Sequence, residues 1–463
     1  MKILLVAYDN GSYIGWFPQG LAYITACLER VGYDVTLYLQ DIHHYPPEHL
    51  TQYLNKNHFD VIGVGVIAGY YQYQQLKKIS KAINRSDDRP FFVLGGHGPS
   101  PEPGYFLKIT NADAVVIGEG EETMLDLISS IENDKPLDKV KGIAFQDITG
   151  NTTVTAARKL IQDLDTLPFP AYEKFPIEIY RLGSYPGMRR TEFSMPILSG
   201  RGCTFRCNFC YRLDKGHRSR SNESILDEIR FLQSRYGVSY IVFSDELLMI
   251  SKERTISLCE DIIRSGLKFK WNCNGRLNYA TDEVVSLMKK AGCSYINYGI
   301  EAVDNDVLKR MKKGLRVSMI NKGIDATLKA GIHPGFNIIF GHKGDNKDTI
   351  SKAVELLLKY NDHSELRTIR PVTPYPGSPL YYEAIEKGLL KGCEDFYENK
   401  HINSDLLSVN FTDLEDDEYY SELASANKRL ISSYYRHQLN AGLKQVDDLY
   451  KDKDAKFRGF RQY

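Results

Sequence analysis

The 463-residue sequence has no apolar run approaching the roughly 18 residues of a membrane-crossing helix. Its N-terminal apolar run is only Ile3–Ala7, too short for a secretory signal core, and no small-residue cleavage pattern follows. No excess of either charge exists. Lys+Arg and Asp+Glu both number 59, so bulk composition gives no attraction to nucleic acid. Cysteine is scarce, at 8 residues, which excludes a disulfide scaffold. Trp occurs twice, against 31 Tyr, and polar low-complexity tracts are absent. With 42% hydrophobic and 25% charged residues, disorder is excluded as the dominant state. The length exceeds one ordinary core and implies two or three domains. The expectation is a soluble, cytoplasmic protein without a transmembrane segment.

What is present begins with alternation. Strands are predicted at 3–7, 35–39, 61–67, 91–94 and 114–117, with helices at 20–30, 76–83 and from 122. This order implies a doubly wound parallel sheet, which binds ligands at the C-terminal ends of its strands. Those ends are rich in glycine. Gly65 closes the third strand, Gly95-Gly96-His97-Gly98 follows the fourth, and Gly118-Glu119-Gly120 follows the fifth. Small residues let a flat, bulky ligand approach the backbone. No GxGxxG opens the first helix and no GxxxxGK[ST] occurs, so a simple nucleotide site is not indicated. A bare flavodoxin-like domain with tight turns remains the other reading.

Three of the eight cysteines fall together, as Cys203-x3-Cys207-x2-Cys210. Three thiolates on one loop suit three irons of a cubic iron–sulfur cluster and leave the fourth iron open. The competing readings are a zinc site that recruits His217, and free cysteines. Cys259, Cys273 and Cys293 read as small buried hydrophobes. Around and after the cluster, strands are predicted at 196–199, 239–244, 269–273, 295–300, 335–340 and 366–371. Helices at 222–235, 252–264, 281–290, 304–312, 318–330 and 347–359 separate them. This repetition implies a partial (β/α)6 barrel, with Asp245, Asn274, Arg276 and Glu301 at strand ends facing its mouth.

The CTFRCNFC run resembles the CxxxCxxC signature of the radical SAM superfamily. That resemblance implies a [4Fe–4S] cluster on Cys203, Cys207 and Cys210, with S-adenosyl-L-methionine on the open iron. It also implies that Glu301 orients the SAM, that Asn274 and Arg276 bind its ribose, its carboxylate or the substrate, and that Asp245 adds an acceptor.

The glycine-rich α/β domain ahead of the barrel resembles the cobalamin-binding branch of the superfamily. This branch includes the class B methyltransferases and the anaerobic Mg-protoporphyrin ester cyclases. LGGHGPS and VVIGEGEET are similar to its corrinoid-contacting loops, which implicates Gly65, Gly95, Gly96, His97, Gly118, Glu119 and Gly120. Asp41-Ile42-His43 matches the start of the D-x-H-x-x-G cobalt-ligand motif, but Pro46 stands where Gly belongs.

The expected organisation is an α/β fold in four parts. A cobalamin-binding Rossmann-like domain covers 1–140, a linker or strap 141–190, a radical SAM barrel 191–385 and a mostly helical C-terminal region 386–463. The expected activity is methylation of an unactivated sp3 carbon, with oxidative cyclisation or ring rearrangement as the alternative. The resemblance also implies a small, natural-product-like substrate and an electron donor such as flavodoxin or ferredoxin. No basic appended domain points to nucleic acid.

Overall fold

The computed structural model describes residues 1–11, 16–213, 216–453 and 455–456. Residue 454 and residues 457–463 of the expected C-terminal region lie outside them.

The first sheet contains β1 Lys2–Ala7, β2 Asp34–Leu39, β3 Val61–Gly65, β4 Phe91–Gly95, β5 Ala114–Val116, β6 Ile143–Gln146 and β7 Thr152–Val154. Their order is β2-β1-β3-β4-β5-β6-β7. The first five are parallel, and β6 and β7 join antiparallel at the edge. This sheet therefore runs past residue 140, because the 143–154 hairpin extends it. The central strands are buried on both faces, which is why they read as unbroken aliphatic runs (ILLVA, VIGVG). The order 2-1-3-4-5 reverses direction between β1 and β3, so the ligand crevice of such a sheet lies beyond their C-terminal ends.

The second sheet contains β8 Ser194–Ile197, β11 Tyr240–Phe243, β12 Lys270–Gly275, β13 Cys293–Glu301, β14 His333–Phe340 and β15 Ile369–Pro371. All neighbours are parallel, in chain order from β8 to β15. This is the expected six-stranded β/α half-barrel. Along β13 the pleat separates two faces. Ile296, Tyr298 and Ile300 enter the core shared with the helices, while Asn297 and Gly299 stand half-buried on the other face. A short antiparallel ribbon, β9 Gly200–Cys203 with β10 Gly216–Ser219, rises from the end of β8.

The C-terminal region divides in two. Residues between 372 and 411 turn back onto the first unit. Tyr397 stacks on Tyr73 at 4.6 Å and meets Phe106 edge-on, and Lys77 donates to Glu398 at 2.7 Å. A helix at Asp416–Tyr450 then packs Tyr419, Leu423, Ala426 and Leu430 against the half-barrel. Among the described residues no helix is long and apolar enough to cross a membrane.

His401 is buried in this returning segment. Its ring stacks on Phe396 at 4.9 Å and meets Tyr375 at 5.2 Å, and neither ring nitrogen has a hydrogen-bond partner. Burial pulls its pKa down to about 4. Between that value and its ordinary 6.5, the unfolded chain holds a proton that the folded chain does not, so folding stability rises with pH through this window. The protein is expected to lose about 3 kcal/mol more than a His401→Phe variant as pH falls from 6.5 to 4. Urea unfolding of both proteins at several pH values reads the difference in slope.

Candidate active site

The cysteine loop is held from several directions. Asp245, at the end of β11, is fully buried. One of its oxygens accepts from the Ser199 and Gly200 N–H groups at 2.8 and 2.6 Å, and the other from Ser199 Oγ at 2.9 Å. Burial lifts its carboxyl to about 7 against the pull of these donors. Glu246 accepts from the Gly202 N–H at 2.9 Å. Both carboxylates fix the ribbon that presents Cys203. Asp245, expected beside the SAM, is thus committed to the turn between β8 and β9.

Further along, the Asn208 N–H donates to Met311 O at 3.0 Å, and Asn208 Oδ1 accepts from buried His342 at 3.1 Å. Cys207 and Cys210 face one another. The hydrogen bond from Cys210 brings the Cys207 thiol down to about 6, with help from Lys313 and Arg276, and pushes the Cys210 thiol up.

The ribbon register decides the place of His217. Cys203 pairs with Gly216 and Gly202 with His217. Directly opposed residues share a face and adjacent ones alternate, so His217 lies on the face opposite Cys203. The zinc reading loses its fourth ligand. Among the described residues no three His, Cys, Asp or Glu side chains converge as ligands of a single ion. A cubic cluster gives each thiolate its own iron, so its ligands need only line one wall.

Arg276, Lys313 and Glu301 line the neighbouring wall. The buried Arg276 guanidinium lies 3.4 Å from the Phe205 ring centroid and donates to Lys313 O. Lys313 Nζ donates to Glu301 Oε1 at 2.9 Å, and both side chains are largely buried. Glu301 has φ +70°, a left-handed conformation that is rare for a non-glycine residue and typical of functional sites. Lys313 has no signal in the sequence, because KRMKKG reads as a solvated charge run.

Asn274 Nδ2 donates to Asp245 O at 2.9 Å, while its Oδ1 accepts from Asn297 at 3.1 Å. Asn297 in turn accepts from Asn337 at 3.0 Å. An amide ladder crosses β12, β13 and β14.

The glycine loops of the first sheet reach this site. Gly96 has φ +95°, and a Cβ there would lie 2.4 Å from Val66 O. Gly118 has φ +88° and open space beside it. Gly65 and Gly95 end β3 and β4 side by side. Exposed His97 meets the ring of Tyr211 edge-on at 6.2 Å, and Tyr211 follows Cys210 directly.

Glu119 and Gly120 lie where the first domain meets the ribbon. Gly120 opens a helix against Ile24, and the Glu119 side chain is largely buried at the junction. The Glu119 carboxylate accepts from Arg201 at 2.8 Å, from Arg218 at 2.9 Å and from the Ile161 N–H at 2.7 Å. Glu121 accepts a second bond from Arg201 at 2.5 Å. Arg201 and Arg218 face each other across the ribbon, on the face that also carries Cys203. The Asp41–His43 pair is likewise split. Asp41 accepts from Tyr180 Oη at 2.7 Å, and exposed His43 stacks on Tyr45.

Residues 197–357 match the radical SAM superfamily and residues 13–128 match the B12 binding domain. The chain carries a radical SAM domain and a B12-binding domain. It is 28% identical over 401 residues to an uncharacterized methyltransferase of Pyrococcus horikoshii, covering 84% of each chain. It is 25% identical over 402 residues to the anaerobic magnesium-protoporphyrin IX monomethyl ester cyclase of Rubrivivax gelatinosus, covering 84% of this chain and 70% of that one. In fold it resembles the radical S-adenosylmethionine methyltransferase TsrM of Kitasatospora setae, solved with cobalamin and a [4Fe–4S] cluster. The TM-score is 0.75 at 18% identity, over 92% of this chain and 90% of that one.

The chain holds its two domains together through the Glu119 junction. Removing one partner of a buried ion pair leaves the other charge uncompensated and costs about 3–5 kcal/mol. Glu119→Ala is expected to lower the unfolding free energy by about that amount, more than a Glu122→Ala control. Chemical denaturation of the two variants measures the difference.

Proposed function

We propose that this protein is a cobalamin-dependent methyltransferase that transfers a methyl group to an unactivated sp3 carbon of a small molecule. The observation that carries this reading is the junction itself, where the glycine loops of the B12-binding domain meet the cysteine loop through His97 and Tyr211. A methyl donor and a hydrogen-abstracting centre must face one substrate, and two loops in contact supply that proximity.

The residues fit the implied groups. Cys203, Cys207 and Cys210 would hold three irons of a [4Fe–4S] cluster, and the positive charges of Lys313 and Arg276 beside Cys207 offset thiolate charge. Gly65, Gly95, Gly96 and Gly118 would border cobalamin, because a side chain at Gly96 would strike Val66 and Gly118 opens on free space. When bound, these groups with SAM supply a 5′-deoxyadenosyl radical and a transferable methyl group.

The side chains position and shield. The Glu301–Lys313 pair presents one carboxylate and one ammonium at the strand end, complementary to the charged amino acid end of SAM. Arg276 over Phe205 closes the wall beside the cysteines against water. The Asn274–Asn297–Asn337 ladder offers amide donors and acceptors to a polar substrate or to the ribose. A one-electron donor of the flavodoxin or ferredoxin class completes the reaction, and a thiolate-held cluster suits the reducing cytoplasm.

Two measurements test the proposal. Anaerobic reconstitution is expected to give about four irons per chain, and replacing all three cysteines by Ala to abolish the cluster absorbance. Gly96→Val is expected to lose corrinoid on desalting while keeping its iron.

The reaction is tested separately with SAM labelled in its methyl group, a reductant and a panel of candidate substrates. Methyl transfer gives both 5′-deoxyadenosine and S-adenosylhomocysteine, with label in a product one CH2 heavier. Deoxyadenosine without label transfer, in a product that has lost hydrogen or gained oxygen, indicates the cyclase chemistry of the Rubrivivax relative instead.

A further inference from the structure

The long C-terminal helix, Asp416–Tyr450, is apolar on two different faces. Its first half buries Tyr419, Leu423, Ala426 and Leu430 against the half-barrel. Its second half carries Tyr435, Leu439, Leu443, Val446 and Tyr450, which are exposed to solvent, Leu439 by 61%, Leu443 by 55% and Tyr450 by 70%. At 3.6 residues per turn these five lie within an arc of about 80°. The 4-4-3-4 spacing is a coiled-coil seam with one four-residue stutter, and no other part of the described chain covers it. We propose that this stripe pairs with the same stripe of a second copy, as an antiparallel two-helix seam with its two-fold axis beside Gly442 and Leu443.

The stripe is self-complementary about that point. With the partner helix reversed, Tyr435 falls opposite the partner's Tyr450 and Leu439 opposite the partner's Val446. Leu443 falls opposite the partner's Gly442, where the missing side chain lets the two helices approach closely. Every apolar residue of the stripe then meets an apolar or small one, which is the requirement for a closed two-fold interface.

Charge selects the same direction. Arg436 and Asp447 flank the stripe on the same side. Equal flanks meet in an antiparallel pair, so each Asp447 comes beside the partner's Arg436. A parallel pair would set each flank against the opposite one, which carries Gln438, Gly442 and Gln445, and would leave both charges without a mate. Asp447 otherwise has only its exposed bond to Lys451 at 2.8 Å, and such surface pairs contribute little. From Lys428 through Val446 the helix has no acidic residue and four Lys or Arg, while Asp447 and Asp448 follow directly. Reversal of one helix on the other joins the basic stretch of each to the acidic end of its mate.

The test uses the full-length holoenzyme without oxygen. Size-exclusion chromatography with light scattering is expected to show a dimer, and Leu443→Asp a monomer that keeps the corrinoid and cluster spectra. Arg436→Asp or Asp447→Arg alone is expected to raise the dimer dissociation constant at least about tenfold, and the double reversal to restore it.

Direction is read by a bismaleimide cross-linker of short reach. Leu439→Cys mixed with Val446→Cys is expected to give cross-linked dimers, and neither variant alone. A wild type that stays monomeric at every protein concentration overturns the proposal. So does a dimer unaffected by Leu443→Asp, and so does efficient cross-linking of Leu439→Cys to itself, which would make the seam parallel or place it elsewhere.

Discussion

The carboxylate of Glu119 fixes the distance between two pieces of chemistry. It lies at the end of a glycine loop in the B12-binding domain and is gripped by Arg201 and Arg218 of the ribbon that ends in Cys203. In a buried site these charges must be paired, so the network admits essentially one arrangement of the two domains. Asp245 and Glu246 then fix the same ribbon to the end of β11. Acids of one domain hold the ribbon's arginines, and acids of the other hold its backbone. The cysteine loop is thereby placed relative to both sheets at once.

Most of the fold was legible in the sequence, because parallel strands buried on both faces leave long aliphatic runs. All five parallel strands of the first sheet and all six of the second fall within a few residues of their expected places. The ribbon was not legible. Gly200-Arg201-Gly202-Cys203 has neither β-branched residues nor alternation, and only its pairing with 216–219 makes it a strand. The returning segment near 390–411 was missed for a related reason, since its aromatic residues find their partners on helices more than 280 positions earlier in the chain.

The site was legible in its residue types and less so in its contacts. The cysteine spacing carried its own chemistry, and Arg276 lies beside the cysteines with Glu301 near them. Asp245 and Glu119 looked like ligand-binding acids because both follow strand ends, Glu119 between two glycines. Their partners are instead backbone N–H groups and arginines remote in sequence, which no local pattern encodes. Lys313 shows the converse, where a residue in an ordinary charge run becomes the buried mate of a strained glutamate. His217 shows that spacing alone cannot assign a ligand, because strand register decides which face a side chain takes.

The chain crosses between its two domains three times, first through the segment after β7, again when residues beyond β15 return to stack Tyr397 on Tyr73, and once more into the helix that packs Tyr419 on the half-barrel. One crossing would make a hinge. Three crossings make a brace, so the domains are not hinged apart like a clamshell to admit what lies between them. A bulky cofactor must enter either before the brace closes, while the chain is still folding, or through a local release of the returning segment. Cofactor exchange in the mature protein is therefore governed by the opening rate of that segment and not by the intrinsic affinity of the glycine loops, so a slowly exchanging cofactor would not by itself indicate a tight binding site.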